Sequence, residues 1–128
     1  MAQVRILIAE DESIVALDLG MQLRACGYLV VATVKSGQAA VHQATQTHPD
    51  LVMMDIRLKG EMDGIEAARI IAAHLDIPVI FCSALVDKDT LGRIRTVKHT
   101  GYVVKPFSRE KLLGAIEDAL DQGGVGDS

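Results

Sequence analysis

The sequence predicts an α/β fold, a doubly wound five-stranded parallel sheet flanked by five helices. Two observations carry that prediction. Short apolar runs recur along the chain, each closed by a polar residue: Val4 to Ala9 stops at Glu10-Asp11, Leu51 to Met54 at Asp55, Pro78 to Cys82 at Ser83, and Tyr102 to Val104 at Lys105. Such uninterrupted runs mark strands buried on both faces, as in parallel sheets. Helical patterns separate them, and strict βα alternation with short connections winds a parallel sheet through right-handed crossovers. The length of 128 residues fits one domain.

The first strand is Val4 to Ala9. The first helix carries Ile14, Leu17, Met21 and Ala25 on one face and ends near Gly27, where a left-handed cap costs glycine little. Tyr28 to Val34 is the second strand. Ser36 can cap the second helix, which runs toward His48, where the following Pro49 disfavours helix. The third strand ends at Met54. Asp63-Gly64-Ile65-Glu66 has the form of a capping box, opening a third helix with Ile65, Ala68, Ala72 and Leu75 inward. The fourth helix, Lys88 to Val97, is weak. Gly92 costs about 1 kcal/mol relative to alanine, and only Leu91 and Ile94 form a stripe. It is either an element that shifts readily or local sequence noise. Ser108 caps the fifth helix, with Leu112, Ile116, Ala119 and Leu120 buried. The domain is expected to span 1–121, leaving 122–128 as a flexible tail or the stump of a linker.

Composition excludes several classes. No apolar run approaches the roughly 20 residues of a membrane span, and there is no signal-peptide pattern. Cys26 and Cys82 fit no metal-ligand spacing and read as reduced, packed thiols of a cytoplasmic protein. The four histidines are scattered. The formal charge of −4 hides an asymmetry, because residues 88–111 carry seven basic side chains against Asp89 and Glu110. That stretch is either a surface for an acidic partner or a solvated helix face. It lacks the aromatic interleaving of a single-strand binder, so direct nucleic-acid binding is not expected.

Five strands suit the order 2-1-3-4-5, and ligands of such sheets bind outside the carboxyl ends of the strands. Strands one and three are then neighbours, so Glu10, Asp11 and Asp55 share a pocket with Ser83 and Lys105 on its other side. Three crowded carboxylates repel unless a cation intervenes, and Mg²⁺ with its oxygen ligands is the natural choice. Glu12 reads better as a helix N-terminal charge. Asp55 can act as a nucleophile on phosphorus if metal and lysine neutralise the incoming anion. Lys105 supplies a point charge for carboxylate or phosphoryl oxygen, and Ser83 a hydroxyl donor. Pro106 keeps Lys105 extended and permits a cis bond.

With those residues in place, the chain resembles a receiver domain of two-component response regulators, of the chemotaxis-regulator-like, flavodoxin-like fold. The resemblance is carried by Ile8-Ala9-Glu10-Asp11-Glu12, Met54-Asp55-Ile56-Arg57-Leu58-Lys59-Gly60 with Met62-Asp63-Gly64, Ile80-Phe81-Cys82-Ser83-Ala84, and Gly101-Tyr102-Val103-Val104-Lys105-Pro106-Phe107. It runs from about Val4 to Asp121. It implies Asp55 as acceptor of a phosphoryl group from a sensor histidine kinase or histidine phosphotransfer protein. Glu10, Asp11 and Asp55 would hold Mg²⁺, joined by the main-chain carbonyl of Arg57. Ser83 and Lys105 would contact the phosphoryl group, with Ser83 and Tyr102 as the switch. Fourth helix, fifth strand and fifth helix would form the output surface, toward a downstream protein or a second copy. Arg57 and Leu85 occupy the two positions that tune kinetics in the family. Neither suits the orienting of a water, so rapid self-dephosphorylation is not expected.

Three other readings compete. A haloacid-dehalogenase-like phosphatase also uses Asp, Ser or Thr, Lys and Mg²⁺, but wants a second Asp where Arg57 stands. A flavin carrier of flavodoxin type needs a phosphate cradle where Glu10-Asp11-Glu12 would repel one. A docking module without phosphorylation would not need the complete set of rim residues.

Overall fold

A computed structural model describes residues 3–84, 86–98 and 100–125, with side chains described through residue 121. The strands are β1 (Arg5–Ala9), β2 (Leu29–Val34), β3 (Leu51–Met54), β4 (Val79–Ser83) and β5 (Thr100–Val104). They alternate with α1 (Ser13–Ala25), α2 (Gly37–Thr47), α3 (Gly64–Leu75), α4 (Lys88–Arg95) and α5 (Arg109–Val125). All pairings are parallel and the order is β2-β1-β3-β4-β5, as the alternation predicts. Boundaries differ from the sequence reading by one or two residues. Ser83 is the last residue of β4, and β5 starts two residues before Tyr102. The last turn of α5 overlaps the segment expected as a tail, and residues 126–128 lie outside the described set.

Successive residues of each strand point to opposite faces, and each face has its own core. Leu7, Val52, Met54, Val79 and Phe81 pack with α2, α3 and α4, while Ile6, Ile8, Met53, Ile80 and Val103 pack with α1 and α5. Caps fall largely where the sequence puts them. The Ser36 hydroxyl accepts from the Ala39 amide at 3.1 Å, the Ser108 hydroxyl from Lys111 at 3.1 Å, and Asp63 with Glu66 closes the capping box. Gly27 is left-handed, as is His48 beyond α2. The inward residues expected for α3 and α5 are buried or half-buried. Cys82 is buried and Cys26 half-buried, and both are free thiols.

The apolar stripe of α1 does not face the core. Ile14, Leu17 and Met21 are 83%, 62% and 60% exposed, whereas Ala16, Leu19, Gly20 and Leu23 are buried against the sheet. Apolar residues lie all the way round this helix, so periodicity alone does not fix its orientation. α4 is shorter than its sequence pattern, with Ile94 its one buried residue.

Candidate functional site

Strand ends place the polar residues. The ladder continues one residue past each apolar run: the Glu10 amide donates to Val34 at 2.9 Å, Asp55 to Ala9 at 2.9 Å, and Lys105 to Ser83 at 2.8 Å. Three side chains that must carry charge are thereby fixed by backbone bonds inside the sheet. Gly64 adds a further constraint. A Cβ there would collide with the Asp55 carbonyl, so the start of α3 can sit against that main chain only as glycine.

Asp11, Asp55, Arg57, Ser83 and Lys105 line one open cleft of about 620 Å³, together with Glu12, Val86, Asp87 and Thr90. Glu10 sits beneath it, 3% exposed. One oxygen from each of Glu10, Asp11 and Asp55 lies within 4.8 Å of the others, the one such cluster found among the described residues. All three donors are hard oxygens, which fits Mg²⁺. Lys105 Nζ pairs with Glu10 Oε1 at 2.5 Å and stands 3.7 Å from Asp55 Oδ2. The lysine is thus held chiefly by Glu10. Glu10 also accepts the Glu12 amide at 3.1 Å, and Asp55 Oδ1 accepts the Arg57 amide at 3.3 Å.

Titration follows from that geometry. Burial, with the Glu10 carboxyl alongside, pushes Asp55 up to about 6 against the opposing pull of Lys105. Burial also works to raise Glu10, but hydrogen bonds from Lys105, the Glu12 amide and Asp55 outweigh it and hold Glu10 below its usual range. Burial disfavours the Lys105 ammonium, yet Glu10 and Asp55 together keep it above its ordinary value. The site without a cation is therefore one carboxylate short of full ionisation below about pH 6.

Tyr102 is set apart from this cleft. Its hydroxyl donates to the Ala84 carbonyl at 2.7 Å, and it borders a groove between β5 and α5 with Val104, Lys111 and Asp118. Leu85 lies outside the described residues. Glu12 is the N-cap residue of α1, as its reading as a helix-terminal charge expects, although its side chain caps nothing. The Lys105–Pro106 bond is cis. Of the seven basic side chains between 88 and 111, Lys105 pairs into the cleft, while Arg93 meets Asp63 at 2.9 Å on the surface. Asp87 and Thr90 went unnoticed in the sequence. The available signal was an Asp one residue before a helical pattern, the ordinary form of an N-cap.

A family model described as the response regulator receiver domain matches residues 6–117, and the chain belongs to that family. It is 41% identical over 118 residues to the transcriptional regulatory protein PdtaR of Mycobacterium tuberculosis, covering 92% of this chain and 57% of that protein. The chain thus spans little more than half the length of that relative. The receiver domain of a modulated diguanylate cyclase from Desulfovibrio desulfuricans superposes with a TM-score of 0.91 at 32% identity, over 98% of this chain and 99% of that one. The receiver domain of the Pseudomonas aeruginosa sensor histidine kinase PA1611, which has a magnesium ion coordinated in its active-site cleft, gives 0.82 at 29% identity over 93% and 98%. This chain is a receiver domain of two-component signalling, and neither the phosphatase nor the flavin-carrier reading finds support. No described helix is long and apolar enough to cross a membrane.

Proposed function

We propose that Asp55 is the phosphoacceptor, taking its phosphoryl group from a sensor histidine kinase or histidine phosphotransfer protein in the cytoplasm. The observation that carries this is positional. Among the described residues, Asp55 is the carboxylate that clusters with Glu10 and Asp11, stands near Lys105 and also lines the open cleft with Ser83. An Asp55 oxygen attacks phosphorus, the phosphorus–nitrogen bond of phosphohistidine breaks, and its electron pair stays on the imidazole. Ser83 donates to one phosphoryl oxygen, and Lys105 swings from the carboxylates toward another. Glu10, Asp11 and Asp55 hold Mg²⁺, completed by the Arg57 main-chain carbonyl. When bound, the ion supplies positive charge to the transferring group. Arg57 and Leu85 tune the lifetime of the product. Self-phosphorylation from small donors and slow self-dephosphorylation are the chemistry the chain performs itself.

The exposed α1 stripe supports a helical phosphodonor. Ile14, Leu17 and Met21 follow directly on Asp11 and Glu12 of the cleft, so a helix laid on that stripe carries its own side chains to the rim. Signal leaves by Ser83, Tyr102 and the α4-β5-α5 face, toward a downstream protein or a second copy.

A small phosphodonor with Mg²⁺ is expected to add one phosphoryl group, and Asp55→Asn to abolish the addition. Undiminished labelling of that variant overturns the assignment.

A further inference from the structure

Two polar contacts join α3 to α4, and they run in opposite senses. Asp63, the N-cap of α3, serves both helices: its Oδ1 accepts the Glu66 amide at 2.9 Å, and its Oδ2 meets the Arg93 guanidinium at 2.9 Å. In return Arg69 of α3 donates to the Thr96 hydroxyl at 3.0 Å, and that hydroxyl donates to the Arg93 carbonyl at 2.6 Å. Arg93 and Thr96 belong to the last turn and C-cap of α4, so that end of the helix is gripped twice. α3 cannot follow a moving neighbour. The Gly64 amide donates to the Ile56 carbonyl at 2.8 Å, the glycine lies against the Asp55 main chain, and Ile65, Ala68 and Ile71 are fully buried. α4 has Ile94 in the core, with Leu91 packed beside it.

We propose that the Asp63–Arg93 and Arg69–Thr96 contacts form a clasp that holds α4 against α3 in the unphosphorylated chain and opens when a phosphoryl group on Asp55 draws α4 away. This rests on Asp55 being the phosphoacceptor and on α4 moving with the output face. Hydrogen-bonded contacts are short-ranged, so a shift of α4 by about 1 Å past a fixed α3 takes both beyond bonding distance. A contact made in only one of two arrangements biases the equilibrium toward that arrangement. The switched arrangement is then a smaller fraction of the resting chain, and whatever binds it binds more weakly by that fraction. The clasp therefore sets a threshold on the switch. Its fixed post stands on the acceptor loop itself, because Asp63 precedes the glycine that packs against the Asp55 carbonyl.

The test is the affinity of the full chain for beryllofluoride with Mg²⁺, measured by titration calorimetry. Arg93→Gln removes the ion pair and should tighten binding about two- to fivefold, the worth of an exposed pair. Asp63→Asn keeps the cap, since Asn caps as well as Asp, and should give the same gain. The double variant should gain no more than either alone, because both substitutions remove one interaction. Arg69→Gln opens the second contact and should tighten binding in the same direction. A contact that merely stabilised the fold would leave the mimic's affinity unchanged. Unchanged or weaker binding in Arg93→Gln or Arg69→Gln therefore overturns the proposal, as do additive gains at 63 and 93. A second readout needs no mimic: Arg93→Gln should speed amide exchange in α4 and leave α3 as it was. Unaltered exchange in α4 also overturns the proposal. If the parent chain binds no mimic, the Asp55 reading fails, and exchange alone decides whether the clasp holds α4.

Discussion

Asp55 is 8% exposed, and the phosphoacceptor role proposed for it requires it to ionise beside two other acids. Its carboxyl sits at about 6 in the folded chain against an ordinary 3.8. Between those values the folded state binds more protons than the unfolded one, so stability falls as pH rises through that window. Glu10 overlaps only the acid end of that window, and Lys105 acts outside it. Glu10 is shifted down, so its contribution is lost only as pH falls below its usual range. Lys105 is shifted up, so its contribution is lost only as pH rises past 10.5. Mg²⁺ held by the ionised acids, as proposed, should remove the cost. Without it, the melting temperature is expected to fall between about pH 5 and about pH 7. Added Mg²⁺ should raise it strongly at the upper pH and hardly at the lower. Asp11→Ala should abolish most of that rise, and an undiminished response would place the ion elsewhere. At this scale the sequence was informative about charge and silent about partners. Polar residues closing apolar runs located Glu10, Asp11, Asp55, Ser83 and Lys105, because a strand end fixes a side chain in space. That Lys105 pairs with Glu10 more closely than with Asp55 depends on side-chain reach across three strands, which no local pattern encodes.

α1 shows where element-level reading fails. Its larger apolar residues point to solvent, and the smaller Ala16 and Gly20 line the sheet beside Leu19 and Leu23. Small residues let the helix axis approach the strands, so packing selects the less hydrophobic-looking face. α3 and α5 have no such ambiguity, and their inward residues were legible from spacing. The two faces of α1 should respond differently to substitution. Leu23→Ala removes a fully buried side chain and should cost about 2–5 kcal/mol. Leu17→Gln replaces an exposed one with a good helix former and should change stability by no more than about 0.5 kcal/mol. If a donor helix docks there, the same substitution should slow phosphotransfer from a histidine kinase at least about tenfold, from the apolar area lost. Labelling by a small donor should be unaffected. Equal losses with both donors would show that Leu17 acts on the cleft itself rather than on docking.

Across the whole molecule, fold order was legible because each strand is buried on both faces and only one common winding suits five of them. How firmly each helix is held was not, since that depends on tertiary contacts. α4 is the weak member: eight residues, Gly92 within it and only Ile94 buried. Apart from Ile94 in the core and Leu91 packed beside it, its fastenings are polar. Arg93 meets Asp63 at 2.9 Å with side chains 45% and 32% exposed, and Arg69 donates to Thr96 at 3.0 Å. An exposed pair of this kind is worth about 0–1 kcal/mol, little against the charge a phosphoryl group brings to the cleft. The Tyr102 hydroxyl on the Ala84 carbonyl ties β5 to the same loop, next to Ser83. On the proposed switch, a pull on Ser83 would be felt at Ala84, at Tyr102 and at the start of α4, whereas α3 is anchored by Ile65, Ala68 and Ile71 in the core. A ligand shifts such an equilibrium only by its differential affinity for the two arrangements, and the low cost of moving α4 makes a modest difference sufficient. With a beryllofluoride mimic and Mg²⁺, amide exchange is expected to change over residues 86–98 and to stay constant over 64–75. Tyr102→Phe, which loses the bond to Ala84, should alter exchange in 86–98 before any mimic is added. If the mimic binds and α3 responds while α4 does not, the signal leaves through the loop after Asp55, and Ser83 and Tyr102 are not its carriers.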